Sequence, residues 1–412
     1  MHASTFAPTI AFVVFVGSYL GLALGRVPGF RVDRTGVAII GATLMVVTGV
    51  LPWNDAVLAV DAHTIVLLFG MMIVAAYLRL SGFFDLVTMR AMRRARTPRG
   101  LLIAVIAAAG GLSALFVNDV VCVVLAPLIL SMTRRLAVPP VPYLVALATA
   151  ANVGSVATLT GNPQNMLVGS FSDVTYRGFL LRQAPIALVG LVCVFLVVWL
   201  VYRHDLPRLF ADGNPTDRVV VHYPLMVKTV AVVAVMLVAF LVGVPIALVA
   251  IAGAAYTLLT RRVKPEKVYR EINWQLLVLF VGLFVLTGGI EKSGLAGDLM
   301  AGASAIGLWR PAMLTMATAV LSNVVSNVPA VLLFKPVIPS FGEPARAWLI
   351  LAMASTLAGN LTILGSVANL IVVEAAREAR VEIGFLEYCR VGVPLTIVTL
   401  IVGWLVLIVV PV

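Results

Sequence analysis

Charge is what this chain has least of. Asp, Glu, Lys and Arg make up 11% of its 412 residues, against roughly a quarter in an ordinary soluble domain. That scarcity excludes a water-soluble fold. Cysteine is equally sparse: Cys122, Cys193 and Cys389 lie in or beside apolar segments with no paired spacing, which excludes a disulfide framework and a thiolate zinc site. The four histidines, His2, His63, His204 and His222, are scattered near segment ends and offer no metal centre. No cofactor is expected. An intramembrane enzyme would need a nucleophile with its base, or metal ligands at depth, and no such set is present.

What fills the chain instead is hydrophobic: 61% of residues, with a mean hydropathy of +1.08. Crossing the ~30 Å core of a bilayer takes about 20 apolar residues. Segments that qualify lie near 8–25, 36–52, 64–81, 141–169, 183–203, 225–243, 246–260, 274–290, 347–373 and 391–410. The first reads as a span rather than a leader, since no basic stretch precedes it and no small-residue cleavage site follows. Two further apolar stretches, 100–133 and 310–338, are interrupted by "SALFVND" and "LSNVVSNVP". Halves of about a dozen residues reach only ~18 Å, so both read as re-entrant hairpins. The expected fold is all-α and polytopic, with ten crossings and two hairpins, set in a plasma membrane such as a bacterial inner membrane.

The net charge of +11 is topological. With the N-terminus outside and the hairpins returning to their own side, twenty-three of the 29 Lys and Arg residues fall inside, as the positive-inside rule requires. They include Arg90, Arg93, Arg94 and Arg96, within residues 83–97 that read as a short basic amphipathic helix on the inner surface, and Arg99, which with Arg134 flanks the first hairpin. Nucleic acid is therefore not a partner; the lipid bilayer is. Both termini are expected outside. Cysteines introduced near Arg94 and Arg262 should react with impermeant reagents only from the cytoplasm, and labelling from outside at either place would overturn this topology.

The two halves resemble each other. At an offset of 212, Ala38, Gly41, Ala42, Gly70, Ser81 and Gly82 match Ala250, Gly253, Ala254, Gly282, Ser293 and Gly294. In the hairpins the offset is 209, pairing Ser113, Asn118 and Pro127 with Ser322, Asn327 and Pro336. Thereafter it is 204, pairing Thr158, Gly161 and Asn165 with Thr362, Gly365 and Asn369. A shared order with slowly drifting offset marks an internal repeat. The expected units are 1–203 and 225–412, joined by a cytoplasmic linker at 204–224. Five crossings plus a hairpin in each force the second copy upside down, the architecture of many secondary transporters.

"TLTGNPQNMLVG", 158–169, and "TILGSVANLIVV", 362–373, share the pattern T-x-x-G-x-x-x-N. A break near Gly161 leaves two half-helices; Asn162 can cap the second and Pro163 suits its first turn. Ser366 can cap its counterpart. Irregular backbone at this depth is tolerated only inside protein or beside a cavity, where exposed N–H groups await an anion or polar solute and freed carbonyls a cation. The plainer alternative is that Gly and Asn serve close helix packing. Asp119 is the one carboxylate placed deep in an apolar segment, and such groups mark ion or proton pathways; the alternative is a hydrogen bond holding the hairpin tip. Its counterpart is Val328. Lys335 is expected to snorkel to the interface, and Glu291 and Lys292 to sit in it.

The stretches "FVNDVVCVVLAPLIL", "ATLTGNPQN", "LFVLTGGIEKSGL" and "SNVVSNVPAVLLFKPVI" resemble the arsenical-pump/citrate-transporter-like permeases of the ion transporter superfamily, over almost the whole chain. The resemblance implies a scaffold part and a transport part with opposed hairpins. It places the site between hairpin tips and broken helices: Asn118, Asp119, Thr158, Gly161, Asn162, Asn165, Ser322, Asn323, Ser326, Asn327, Thr362, Gly365, Ser366 and Asn369. It also implies H⁺ or Na⁺ as coupling ion, with Na⁺ at the hairpin tips, and allows a homodimer. Dicarboxylate relatives carry Ser-Asn-Thr at both tips; the Asn118-Asp119 tip fits the arsenite branch better. Arsenite is mostly a neutral hydroxide near pH 7, suited to hydroxyl-binding amides and a proton-linked carboxylate, and Cys122 alone cannot make a multi-thiolate site. The expected function is a secondary active transporter of a small anion or its neutral acid, arsenite and antimonite favoured. The alternatives are a Na⁺-coupled dicarboxylate or sulfate symporter, a Na⁺/H⁺ antiporter and, from another class, an ion channel.

Overall fold

The computed structural model describes residues 7–25, 29–207, 209–210, 220–260 and 262–409. Arg26, Arg208, Arg218 and Arg261, four of the twenty-three basic residues that the charge-derived topology places inside, the middle of the linker and the extreme termini lie outside the described residues. Twenty α-helices and no strand occur among the described residues. The first ten are α1 (Ala7–Leu24), α2 (Arg34–Val47), α3 (Trp53–Ala59), α4 (Ala62–Leu80), α5 (Phe83–Arg93), α6 (Pro98–Leu115), α7 (Asn118–Arg135), α8 (Val141–Ser155), α9 (Pro163–Phe171) and α10 (Tyr176–Tyr202). The second ten are α11 (Tyr223–Val242), α12 (Ile246–Leu258), α13 (Pro265–Tyr269), α14 (Trp274–Ser293), α15 (Ala296–Ala305), α16 (Pro311–Val325), α17 (Asn327–Phe334), α18 (Pro344–Ala358), α19 (Val367–Glu378) and α20 (Phe385–Val409).

Each helix has its counterpart ten places later, similar in length except that α7 has 18 residues and α17 only 8. Packing respects the exchange: α2 lies against α14 and α4 against α12, while α7 meets α19 and α17 meets α9. The matched small residues make these contacts. A Cβ on Gly70 would stand 2.7 Å from the Ala250 carbonyl carbon, and one on Gly282 2.9 Å from that of Ala38. Without side chains there, backbones approach closely, which is how membrane helices gain packing energy when lipid offers no hydrophobic drive.

Of the ten expected crossings, six are single helices long and apolar enough to span: α1, α4, α10, α11, α14 and α20. Two are broken, α8 with α9 and α18 with α19, where Gly161 and Gly365 were expected to break them. The remaining two, α2 and α12, have 14 and 13 residues; at 1.5 Å per residue they rise only ~20 Å. Helix α2 stops because Gly49 takes φ +76° and Pro52 follows.

The first hairpin differs from expectation. Its arms, α6 and α7, have 18 residues each, not a dozen, and α6 alone is long and apolar enough to cross. Length therefore does not enforce re-entry. A re-entering pair and a crossing pair both return the chain to the same side, so the sides of the other loops are unaffected. The basic amphipathic stretch is a helix, α5, which buries Phe84, Met89 and Met92 on one face.

Candidate functional site

Both breaks are built alike. Between α8 and α9 the chain leaves the helix over residues 156–162 and turns so tightly that a Cβ on Gly161 would lie 2.3 Å from the Ser155 carbonyl oxygen. In the second unit a Cβ on Gly365 would lie 2.8 Å from the Gly359 carbonyl oxygen. Only glycine fits either crossing. Unwinding frees carbonyls, and the repeated asparagine takes them up. Asn165 Nδ2 donates to Ser155 O at 3.0 Å and Thr158 O at 2.9 Å. Asn369 Nδ2 donates to the equivalent Gly359 O at 2.8 Å and Thr362 O at 3.0 Å. The caps form as expected: Asn162 Oδ1 accepts from Asn165 N at 2.9 Å, and Ser366 Oγ accepts from Ala368 N at 3.2 Å.

Across the molecular centre the units are stitched by side chains. Asn152 Oδ1 accepts from Asn118 Nδ2 at 2.9 Å and from Ser366 Oγ at 3.0 Å. Its Nδ2 donates to Asn360 Oδ1 at 2.9 Å and Asn369 Oδ1 at 3.0 Å. The matching position, Thr356, accepts at Oγ1 from Asn162 Nδ2 and Gln164 Nε2, both at 3.1 Å. The first hairpin tip is tied to the first break by Asn118 N–H donating to Gly161 O at 3.1 Å. The second tip is anchored by Asn323 Nδ2 donating to Ala358 O at 3.0 Å, and by Tyr19 Oη of α1 donating to Pro329 O at 3.1 Å.

A cavity of about 330 Å³ opens where these parts meet, lined at its inner end by Asn118, Asp119, Gln164, Ser326, Asn327 and Ser366. Four helices present their first residues to it: α7, α9, α17 and α19. Each N-terminus carries unsatisfied N–H groups and about half a positive charge, so the wall is a converging set of donors. Asp119 is the carboxylate in this inner part. Asp33, Arg34, Asn273 and Gln275 also line the cavity, at the starts of α2 and α14. Arg34 Nε donates to Leu22 O at 3.2 Å. Ser326 adopts φ +76°, a region costing a side chain about 1–3 kcal/mol, which turns α16 into α17 beside the cavity.

Of the residues expected from the sequence, Asn118, Asp119, Ser326, Asn327 and Ser366 line this cavity. Thr158, Gly161, Asn162, Asn165, Thr362, Gly365 and Asn369 build the breaks behind it. Ser322 and Asn323 belong to the last turns of α16, a step away from the tip at Ser326. Gln164 lines the cavity and Asn152, Thr356 and Asn360 hold its frame; the motif search missed all four. Asn152 left a faint signal as an amide inside the otherwise apolar "VPYLVALATAANVGS". At the other end of α14, Lys335 is not merely snorkelling: its Nζ stands 3.3 Å from Glu291 Oε1 and 5.1 Å from the Phe171 ring centroid. Lys292 likewise pairs with Asp55 at 2.9 Å.

With this geometry in hand, comparison with known proteins is decisive. The citrate transporter family model matches residues 19–358. The chain belongs to that family. It is thus a multi-pass membrane transporter and not an enzyme. The silicon efflux transporter LSI3 of Oryza sativa is 31% identical, with 96% of each chain covered. The putative transporter arsB of Dictyostelium discoideum is 23% identical, covering 97% of this chain and 92% of the relative. Among solved structures, the YdaH transporter of Alcanivorax borkumensis superposes with a TM-score of 0.62 at 19% identity, covering 97% and 98% of the two chains; its structure is described as having an unusual topology. This last likeness is one of fold.

Proposed function

We propose that the protein is a secondary active transporter whose cargo is a small, multiply hydroxylated acid, neutral near pH 7, of the arsenous or silicic acid type, and that Asp119 couples it to protons. The observation carrying this reading is the pairing of four helix N-termini with one carboxylate at the inner end of the cavity. The helix ends favour oxygen atoms bearing partial or full negative charge. An ionised Asp119 repels a full anion and accepts hydrogen bonds from a neutral hydroxide. Protonation removes the charge and turns one of its oxygens into a donor, which weakens its hold on hydroxyl donors, so cargo and proton compete for one group. The names of the rice and Dictyostelium relatives support this class. Alternating access would come from two units, 1–203 and 225–412, set upside down to each other, with the cavity facing the cytoplasm where the charge-derived topology puts Arg34 and Arg270.

A second reading rests on one observation. Ser322 Oγ, Asn323 Oδ1 and Asn327 Oδ1 are buried oxygens without a hydrogen-bond partner, clustered at the second hairpin. An all-oxygen donor set beside unwound backbone suits Na⁺. Reconstituted proteoliposomes separate the two. Arsenite, antimonite, silicic acid, sulfate, citrate and succinate are offered under imposed H⁺ or Na⁺ gradients. The expected result is accumulation of a neutral hydroxide driven by the H⁺ gradient. Uptake of citrate or sulfate driven by Na⁺, with no response to the hydroxides, would overturn the proposal.

A further inference from the structure

We infer that the groove between α11 and α12 is a binding site for one anionic phospholipid. The groove has a volume of about 620 Å³ and is walled by Ala231, Val235, Met236 and Ala239 of α11 with Leu248 and Ala252 of α12. At one end stand Lys228 and Tyr256, at the other Ala239 and Val244. Eleven residues of helix separate Lys228 from Ala239, a rise of about 17 Å. That is half of the ~30 Å hydrocarbon core, the length of an acyl chain in a single leaflet. The walls face outward rather than into the protein: Val235 is 70% exposed and Leu248 60%.

Lys228 supplies the headgroup contact. Its Nζ donates to Leu259 O at 2.6 Å and Thr257 O at 3.4 Å and lies 4.9 Å from the Tyr256 ring centroid. These contacts hold the ammonium at the mouth of the groove. Among the described residues no carboxylate pairs with it, so its charge is uncompensated. A phosphate is the anion that sits at this depth, directly above an acyl chain. The charge-derived topology puts this end in the cytoplasmic leaflet, whose anionic lipids attract cationic side chains. The feature belongs to this unit only. Helix α1 contains no charged residue and α2 has Leu44 where α12 has Tyr256. Breakdown of the transport reading leaves this site standing, because it lies on the lipid face and shares no residue with the central cavity.

The test uses the purified full chain in detergent, with native mass spectrometry and thermal unfolding read side by side. The probes are phosphatidylglycerol and phosphatidylcholine of the same chain length. Wild type should bind phosphatidylglycerol about fivefold better than phosphatidylcholine and gain a larger shift in melting temperature from it. Lys228→Gln should abolish the preference while leaving phosphatidylcholine binding unchanged. Lys228→Arg should keep it, and Ala252→Phe, which fills the groove, should weaken both lipids. The preference is compared within each variant, so a change in basal stability does not disturb it. Equal binding of the two lipids by wild type, or an undiminished preference in Lys228→Gln, overturns the inference. Efficient disulfide cross-linking of Val235→Cys between two copies also overturns it, because a second copy would then cover the groove.

Discussion

Asp119→Asn should uncouple the transporter: cargo exchange stays near the wild-type rate while gradient-driven accumulation falls by at least about tenfold. Asparagine preserves the shape of the side chain and its place in the first turn of α7, so the cavity wall at Asn118 and Gln164 is undisturbed. What disappears is a group able to release a proton on one side and recover it on the other. The repeat gives no substitute, since the corresponding position is Val328, a cavity-lining residue that cannot titrate. Counterflow measures exchange without a gradient, and uptake under an imposed pH difference measures coupling. If accumulation survives in full, Asp119 only pins the hairpin tip, and the proton must ride on the cargo itself or on no protein group.

Asn152→Ala should cost more than any other single truncation in the centre of the molecule. Its amide makes four hydrogen bonds at once, to Asn118, Ser366, Asn360 and Asn369. Truncation deprives four buried partners of a hydrogen bond. At about 0.6 kcal/mol for an average membrane hydrogen bond and up to about 1.7 for the best, the loss in stability should be about 2–4 kcal/mol. Transport should fall further than stability does. Asn118 forms the cavity wall, and Ser366 and Asn369 fix the start of α19, so both hairpin tip and half-helix lose their register. Thermal unfolding and initial uptake rates of the same preparation check this. The double mutant with Asn369→Ala should be clearly less damaging than the sum of the two single mutants, because they share a bond. Unchanged uptake with an unchanged melting temperature would show the network to be incidental.

The sequence by itself determined the solvent of this protein, its repeat and the places where its helices break. Scarce charge and long apolar runs admit only a membrane fold. Glycine at 161 and 365 was legible because so tight a turn admits no side chain, a Cβ there standing 2.3–2.8 Å from a carbonyl oxygen, and Asn162 and Ser366 because capping is a contact between near neighbours in the chain. The same locality made α5 and α9 readable. Other features were decided only by tertiary structure. Asn152 meets residues 34 to 217 positions away, so nothing beside it in the chain announces its role. Asn165 and Asn369 read as ligands, yet folding turns both amides back onto the carbonyls freed by their own break. Lys335 and Glu291 read as separate interfacial charges, and packing of α17 beside α14 makes them a pair. The long arms of the first hairpin are hidden in the sequence because Ser113 and Asn118 read as interruptions of its apolar run. In the fold Ser113 is simply a buried residue inside α6, and Asn118 opens α7. Local chemistry is written in neighbouring residues; convergence of four helix ends on one carboxylate requires the whole chain to be folded.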